Sequence, residues 1–92
     1  MEVILSARAE HDLEKISLYT EEMWGVEHRI KTALQLRAMS QFLELYPSCG
    51  QPTARANVFV VVVPKLPFLF LYKITKSKIL VLQMLHSKQN RV

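Results

Sequence analysis

Val58-Phe59-Val60-Val61-Val62-Val63-Pro64-Lys65-Leu66-Pro67-Phe68-Leu69-Phe70-Leu71-Tyr72 is the stretch that decides the fold. Two runs of β-branched, aromatic and aliphatic residues flank a short segment bounded by prolines, which is the pattern of two strands and a turn. A connection that short joins antiparallel neighbours. A third run, Ile79-Leu80-Val81-Leu82, follows Thr75-Lys76-Ser77-Lys78 and extends the same sheet. Sheets with one face on helices and one in water alternate apolar and polar residues. These strands are apolar at successive positions, so the second face is expected to want a cover.

Upstream, Pro47-Ser48-Cys49-Gly50-Gln51-Pro52 has the composition of a loop, and before it the periodicity is helical. Val3-Ile4-Leu5 reads as a brief strand, and Ser6 as the N-cap of a first helix. Ala9, Leu13, Ile16, Tyr19 and Met23 recur at helical spacing and predict one buried face, ending near Trp24-Gly25. A second helix is predicted from Val26 to about Tyr46, closed by Pro47. Ile30, Ala33, Leu34, Ala38, Phe42 and Leu45 form its broad apolar side. Leu36, Met39 and Leu43 form a smaller strip, which is expected to pack on the first helix, the alternative being that it is left for a partner. The expected order is β-α-α-β-β-β in one α+β domain spanning residues 1–92.

Cys49 is the lone cysteine, and no Cys/His spacing suggests a metal or cofactor, so none is expected. His11 and His28 read as surface residues. No signal-like start or long apolar run is seen, and a cytoplasmic protein without a membrane span is expected. Twelve bases against eight acids give a formal charge of +4, unevenly spread. Residues 1–44 hold all eight acids and five of the bases, a balance of −3, and residues 45–92 carry +7 with no acid. Such asymmetry points the second half toward nucleic acid or an acidic protein segment.

The chain resembles the RelE/ParE superfamily of toxins from type II toxin–antitoxin systems. Asp12-Leu13, Glu22-Met23-Trp24-Gly25, Phe42-Leu43-Glu44 with Pro47 and Gly50, Arg55, Val63-Pro64-Lys65-Leu66-Pro67-Phe68, Tyr72-Lys73-Ile74 and Leu85-His86-Ser87-Lys88-Gln89 carry the resemblance. It implies a two-helix hairpin packed on a small antiparallel sheet. It also implies a cytoplasmic toxin in a hetero-oligomer with a cognate antitoxin, whose acidic, amphipathic helix or strand wraps it. The apolar sheet face and second helix, with Leu36, Met39, Leu43, Phe70 and Tyr72, are the expected antitoxin contacts.

Two activities follow from the resemblance. A ParE-like protein stabilises plasmids and arrests growth by inhibiting DNA gyrase through binding, with no catalytic group. A RelE-like protein enters the ribosome and cleaves mRNA. In that case His86 would move the proton, and Arg55, Lys73 and Lys65 would hold the phosphate. Ribosome-dependent members carry an aromatic residue after the last strand, where this chain has Ser87-Lys88-Gln89. The His86-Ser87 ending and Trp24-Gly25 resemble the ParE branch, so gyrase inhibition is the favoured expectation. Arg55, Lys65, Lys73, His86, Lys88 and Arg91 are then the target-binding or anion-binding residues. Arg55 carries particular weight, because a lone arginine entering a central apolar strand needs a partner. A third reading is an inactive toxin retained as its antitoxin's co-repressor.

Overall fold

A computed structural model describes residues 1–87. The elements are β1 (Glu2–Leu5), α1 (Ala7–Trp24), α2 (Val26–Leu45), β2 (Gln51–Pro52), β3 (Val58–Val62), β4 (Phe68–Ile74) and β5 (Lys78–His86). They form an α+β domain with one five-stranded sheet in the order β1-β5-β4-β3-β2. The sheet is mixed, because β1 lies parallel to β5 while the other pairs are antiparallel. The two-residue β2 on the far edge was not legible as a strand. The expected element order is otherwise what the chain adopts.

Gly25 alone separates the two helices. Its φ of 93° lies where a side chain is strained, so glycine lets one residue end α1 and start α2. Its N–H donates to the Glu21 carbonyl at 2.9 Å, and Arg29 donates back to the Gly25 carbonyl at 3.2 Å. Arg29 Nε and Glu21 Oε1, 2.7 Å apart, form an ion pair across the turn.

β5 is flanked by β1 only over Lys78–Val81. Beyond that point α1 takes over the vacated edge. Ser6 caps α1 by accepting from the Ala9 N–H at 3.0 Å, and its hydroxyl donates to the Leu82 carbonyl at 2.9 Å. One turn on, Asp12 Oδ2 accepts the Met84 N–H at 3.0 Å, and its Oδ1 accepts from Arg8 Nε at 3.2 Å. A bulge between β4 and β5 falls in this same stretch, since Tyr72 pairs with Val81 and Leu71 with Gln83. Leu82 is the extra residue, so Ile79, Val81 and Met84 all reach the helix side despite their mixed parity.

The core lies between that sheet face and the helices. Phe70, Tyr72, Ile79, Val81 and Met84 meet Ala9, Ile16, Leu36, Met39 and Leu43. The expectation for α1 needs correction, and that for the small strip on α2 holds. On α1, Ala9 and Ile16 are buried, but Asp12 and Thr20 share their face, and Tyr19 and Met23 are exposed. On α2, the small strip of Leu36, Met39 and Leu43 is the buried one, joined by Thr32. The broad side is outside, with Leu34 at 62% and Leu45 at 73% exposure. The hairpin has only one sheet face to meet, so α2 can bury one of its two stripes. It buries the stripe that faces α1 and β1.

The Asp12 contact should be measurable as stability. Asp12→Ala leaves a strand N–H and Arg8 without their acceptor, and urea unfolding should show a loss of roughly 2–3 kcal/mol. Asp12→Asn, which keeps one acceptor oxygen, should lose about half as much or less.

Candidate functional site

The sequence-predicted residues do not converge on one point. Arg55 sits in the exposed turn ahead of β3, where its carbonyl accepts the Val58 N–H at 3.3 Å and its N–H donates to Thr53 Oγ1 at 3.2 Å. Its side chain is on the surface, and β3 is not the central strand, so the argument from a buried charge does not apply to it. Lys73 lies opposite Val58 on one side and Leu80 on the other. Lys76 and Lys78 follow in the β4–β5 turn and at the start of β5. Arg55, Lys73, Lys76 and Lys78 therefore form a cationic end of the sheet, into which Glu2, paired with Lys78, brings one acid.

Lys65 and His86 occupy the other end. Lys65 is at the tip of the β3–β4 turn with φ of 67°, and His86 pairs with Phe68, their rings 5.6 Å apart and edge to face. The length of β4 separates the two groups, roughly 20 Å at the usual rise per residue. Lys88 and Arg91 lie outside the described residues.

Leu36, Met39, Leu43, Phe70 and Tyr72, the expected antitoxin contacts, are all buried within the chain. They cannot serve as a surface in this fold. What is exposed is a different set. Val26, Ile30, Leu34, Ala38 and Phe42 recur every fourth residue along α2 and make one continuous apolar row. The sheet face away from the helices presents Ile4, Val60, Val62, Leu71 and Leu80, with Lys73 among them. Of its apolar residues Val62 is exposed, Ile4, Val60, Leu71 and Leu80 are half-buried, and Val58 and Leu69 are buried, so the face is less open than the strands led one to expect. The row on α2 was legible as an apolar stripe.

Tyr72 stacks on Phe59, with ring centroids 5.6 Å apart, and holds the loop before β2. Its hydroxyl donates to the Pro47 carbonyl at 2.8 Å and accepts the Gly50 N–H at 3.1 Å. A Cβ at Gly50 would stand 2.7 Å from the Val60 carbonyl oxygen and 2.8 Å from the Tyr72 hydroxyl, so glycine is required by close approach. Trp24, at the helical turn, is 55% exposed, with Tyr19 edge-on at 5.8 Å and His28 at 6.2 Å. Among the described residues there is no cluster of three His, Cys, Asp or Glu able to hold a metal, and no helix is long and apolar enough to cross a membrane.

These features place the chain in a class of small α+β domains in which a helical hairpin covers one face of a mixed sheet and leaves apolar and basic surfaces open. The fold is that of a chain from the chromosomal ParDE toxin–antitoxin system of P. aeruginosa, with a TM-score of 0.82 over 94% of this chain and 95% of that one, at 18% identity. Toxin ParE1 of Caulobacter vibrioides (strain ATCC 19089 / CIP 103742 / CB 15) is 42% identical over 48 residues. That match covers 52% of this chain and 50% of the relative, so the chain spans about half the length of the curated relative it matches. The model for the ParE toxin of the type II toxin–antitoxin system parDE matches residues 3–91. The chain belongs to the ParE toxin family.

Tyr72 gives a test of the loop's anchorage. Burial, the larger effect, holds its hydroxyl pKa above the ordinary tyrosine value despite the Gly50 hydrogen bond, which lowers it. The folded state therefore disfavours the phenolate. Its contribution is complete below the unfolded pKa of about 10 and is lost as pH rises through the raised folded value. Tyr72→Phe should cost about 1–2 kcal/mol at neutral pH. Above about pH 10, urea midpoints should fall more steeply for the parent than for this variant.

Proposed function

We propose that the chain is a toxin that acts in the cytoplasm by binding and inhibiting DNA gyrase, and that an antitoxin with an acidic, amphipathic segment neutralises it. The observation that carries this reading is the separation of His86 from Arg55 and Lys73 by the length of the sheet. Cleavage of mRNA needs a proton-transfer group and a phosphate clamp on the same few ångströms of substrate. His86 and the cationic end cannot share one phosphate in this arrangement, and of the three residues assigned to hold it only Lys65, in the β3–β4 turn, stands at the His86 end. A binding poison makes no such demand, and a cluster such as Arg55, Lys73, Lys76 and Lys78 suits long-range attraction to an anionic target.

The antitoxin's place follows from the exposed apolar surface. Val26, Ile30, Leu34 and Phe42 of the α2 row are 46–62% exposed, and contiguous apolar patches of this kind mark interaction sites. An amphipathic helix laid along Ile30, Leu34, Ala38 and Phe42 would cover that row, and the basic second half of the chain would attract its acidic residues.

Induction of the chain in bacteria should produce DNA breaks and altered supercoiling while reporter mRNA stays whole. His86→Ala should remain as toxic as the parent. Charge reversal at Arg55, Lys73 and Lys76 together should raise the expression needed for growth arrest by on the order of tenfold or more. Cut message beside intact DNA, with toxicity lost in His86→Ala, would overturn the gyrase reading.

A further inference from the structure

Arg55, Lys73, Lys76 and Lys78 gather where two turns of the sheet meet. Lys76 and Ser77 form the tip of the β4–β5 hairpin, closed by the Thr75 N–H donating to the Lys78 carbonyl at 2.9 Å. The turn that carries Arg55 is tied to the same place, because the Ile74 N–H donates to the Asn57 carbonyl at 2.9 Å. Lys73 pairs with Leu80, so Lys73 and Lys78 stand one diagonal step apart on the sheet face away from the helices. Such a step separates side chains by roughly 7–8 Å. From Arg55 ahead of β3 to Lys78 on β5 the cations cross three neighbouring strands, a strip roughly 10 Å wide.

The strip is largely uncompensated. All four cations are exposed, and none belongs to a salt bridge among the described residues, where the pairs are Arg8 with Asp12 and Arg29 with Glu21. One acid, Glu2, lies opposite Lys78. Glu44 also comes to this end, its carbonyl accepting from the N-terminal ammonium at 3.2 Å, but it belongs to α2 and the opposite face of the sheet.

The surroundings of the strip select the kind of anion. A peptide is ordinarily held by pockets for its side chains, and the depressions around α1, α2 and the β3–β4 turn are walled by other residues. Single-stranded nucleic acid is held by stacking its bases on aromatic rings. The neighbours of the lysines on this face are Val58, Leu71 and Leu80, all aliphatic. A phosphate backbone asks only for charge and exposed polar groups, which Asn57 and Ser77 add beside the cations. The helical half, with its balance of −3, would be turned away from such a polyanion, so the charge division itself presents this end.

We infer that the cationic end binds the phosphate backbone of duplex DNA directly, without reading bases. Four cations less Glu2 leave charge for about three phosphates. The choice of DNA over duplex RNA rests on the gyrase reading, since gyrase works on duplex DNA.

The test titrates a labelled DNA duplex with the chain, read by fluorescence anisotropy, beside gyrase supercoiling assayed in the presence of the chain. The logarithm of affinity should fall linearly with that of salt at a slope of roughly −3, a loss on the order of fiftyfold between about 50 and 200 mM. Lys73→Ala and Lys76→Ala should each flatten the slope by about one. Lys76→Glu should weaken binding on the order of tenfold at low salt, whereas Lys31→Glu, the same change of net charge at an exposed position of α2, should bind like the parent. Unchanged circular dichroism would establish that the variants fold. Equal losses in Lys76→Glu and Lys31→Glu would mean attraction by net charge alone, and the site is overturned. If the parent binds no duplex yet inhibits gyrase, the DNA contact is overturned and the gyrase reading stands. If it binds the duplex as expected and leaves gyrase active, the contact stands and the gyrase reading falls. Tighter binding to an RNA duplex of the same length would overturn the assignment to DNA. Displacement of the duplex by poly-glutamate at equal charge would overturn it in favour of an acidic protein.

Discussion

The carboxylate of Asp12, reaching from α1 to the Met84 N–H at 3.0 Å, stands where a sixth strand would otherwise have to run. β1 is only four residues long and leaves the second half of β5 without a partner on that edge. A buried strand edge with unpaired N–H and C=O groups would cost more than most single contacts return. Ser6 and Asp12 meet that demand with side-chain oxygens, so the first turns of α1 must lie against β5 at one depth and one angle. The position of α2 follows, because Gly25 gives it no slack. The bulge at Leu82 belongs to the same arrangement, since it turns Met84 onto the face that α1 covers.

This constraint explains what could and could not be read from the residues. The strands beginning at Val58, Phe68 and Ile79, the helix break at Gly25 and the cap at Ser6 depend on local patterns, and the chain carries them openly. Asp12 was missed as a structural residue because a carboxylate on an amphipathic helix ordinarily marks the wet side. Only the missing strand partner makes it an inside residue, and that is a property of topology. β2 escaped for a similar reason, because two residues of a loop become a strand only when β3 offers them an edge. α2 shows a third limit. It carries two apolar stripes on opposed sides, and counting apolar residues does not say which one is left in water. Burial is decided by where α1 and the sheet stand, and Thr32 completes the inner stripe although it is polar.

The candidate site was legible in its parts and misread in its assembly. The cations and His86 stand out by type in an apolar half, yet residue type and spacing say nothing about which end of a sheet each one occupies. β4 and β5 run antiparallel, so residues close to the β4–β5 turn, such as Lys73 and Lys78, are brought together. His86 is carried to the far end by the whole length of β5. A pair of strands thus sorts the chemistry by distance from the turn. That sorting separates the proposed proton carrier from Arg55 and Lys73 of the proposed phosphate clamp and leaves only Lys65 beside it.

A chain that works by docking has a conflict that an enzyme with an enclosed cleft avoids, because its functional surface must stay open while its core is still being stabilised. Here the apolar row on α2 is as regular as the buried strip behind it, and Leu34 and Phe42 are side chains that a core would accept. Keeping them outside gains nothing for the fold of the isolated chain. It becomes favourable only if something else covers them, since a partner that binds the folded state alone adds its binding free energy to stability by mass action. On the proposed reading, the same exposed row that makes the free toxin costly to maintain gives its antitoxin a grip over the full length of α2. The charge division reinforces this. An acidic helical half and a basic sheet half would draw an acidic segment past α1 and α2 toward the strands, and would leave the cationic end around Lys73 and Lys76 as the last surface to be covered or released.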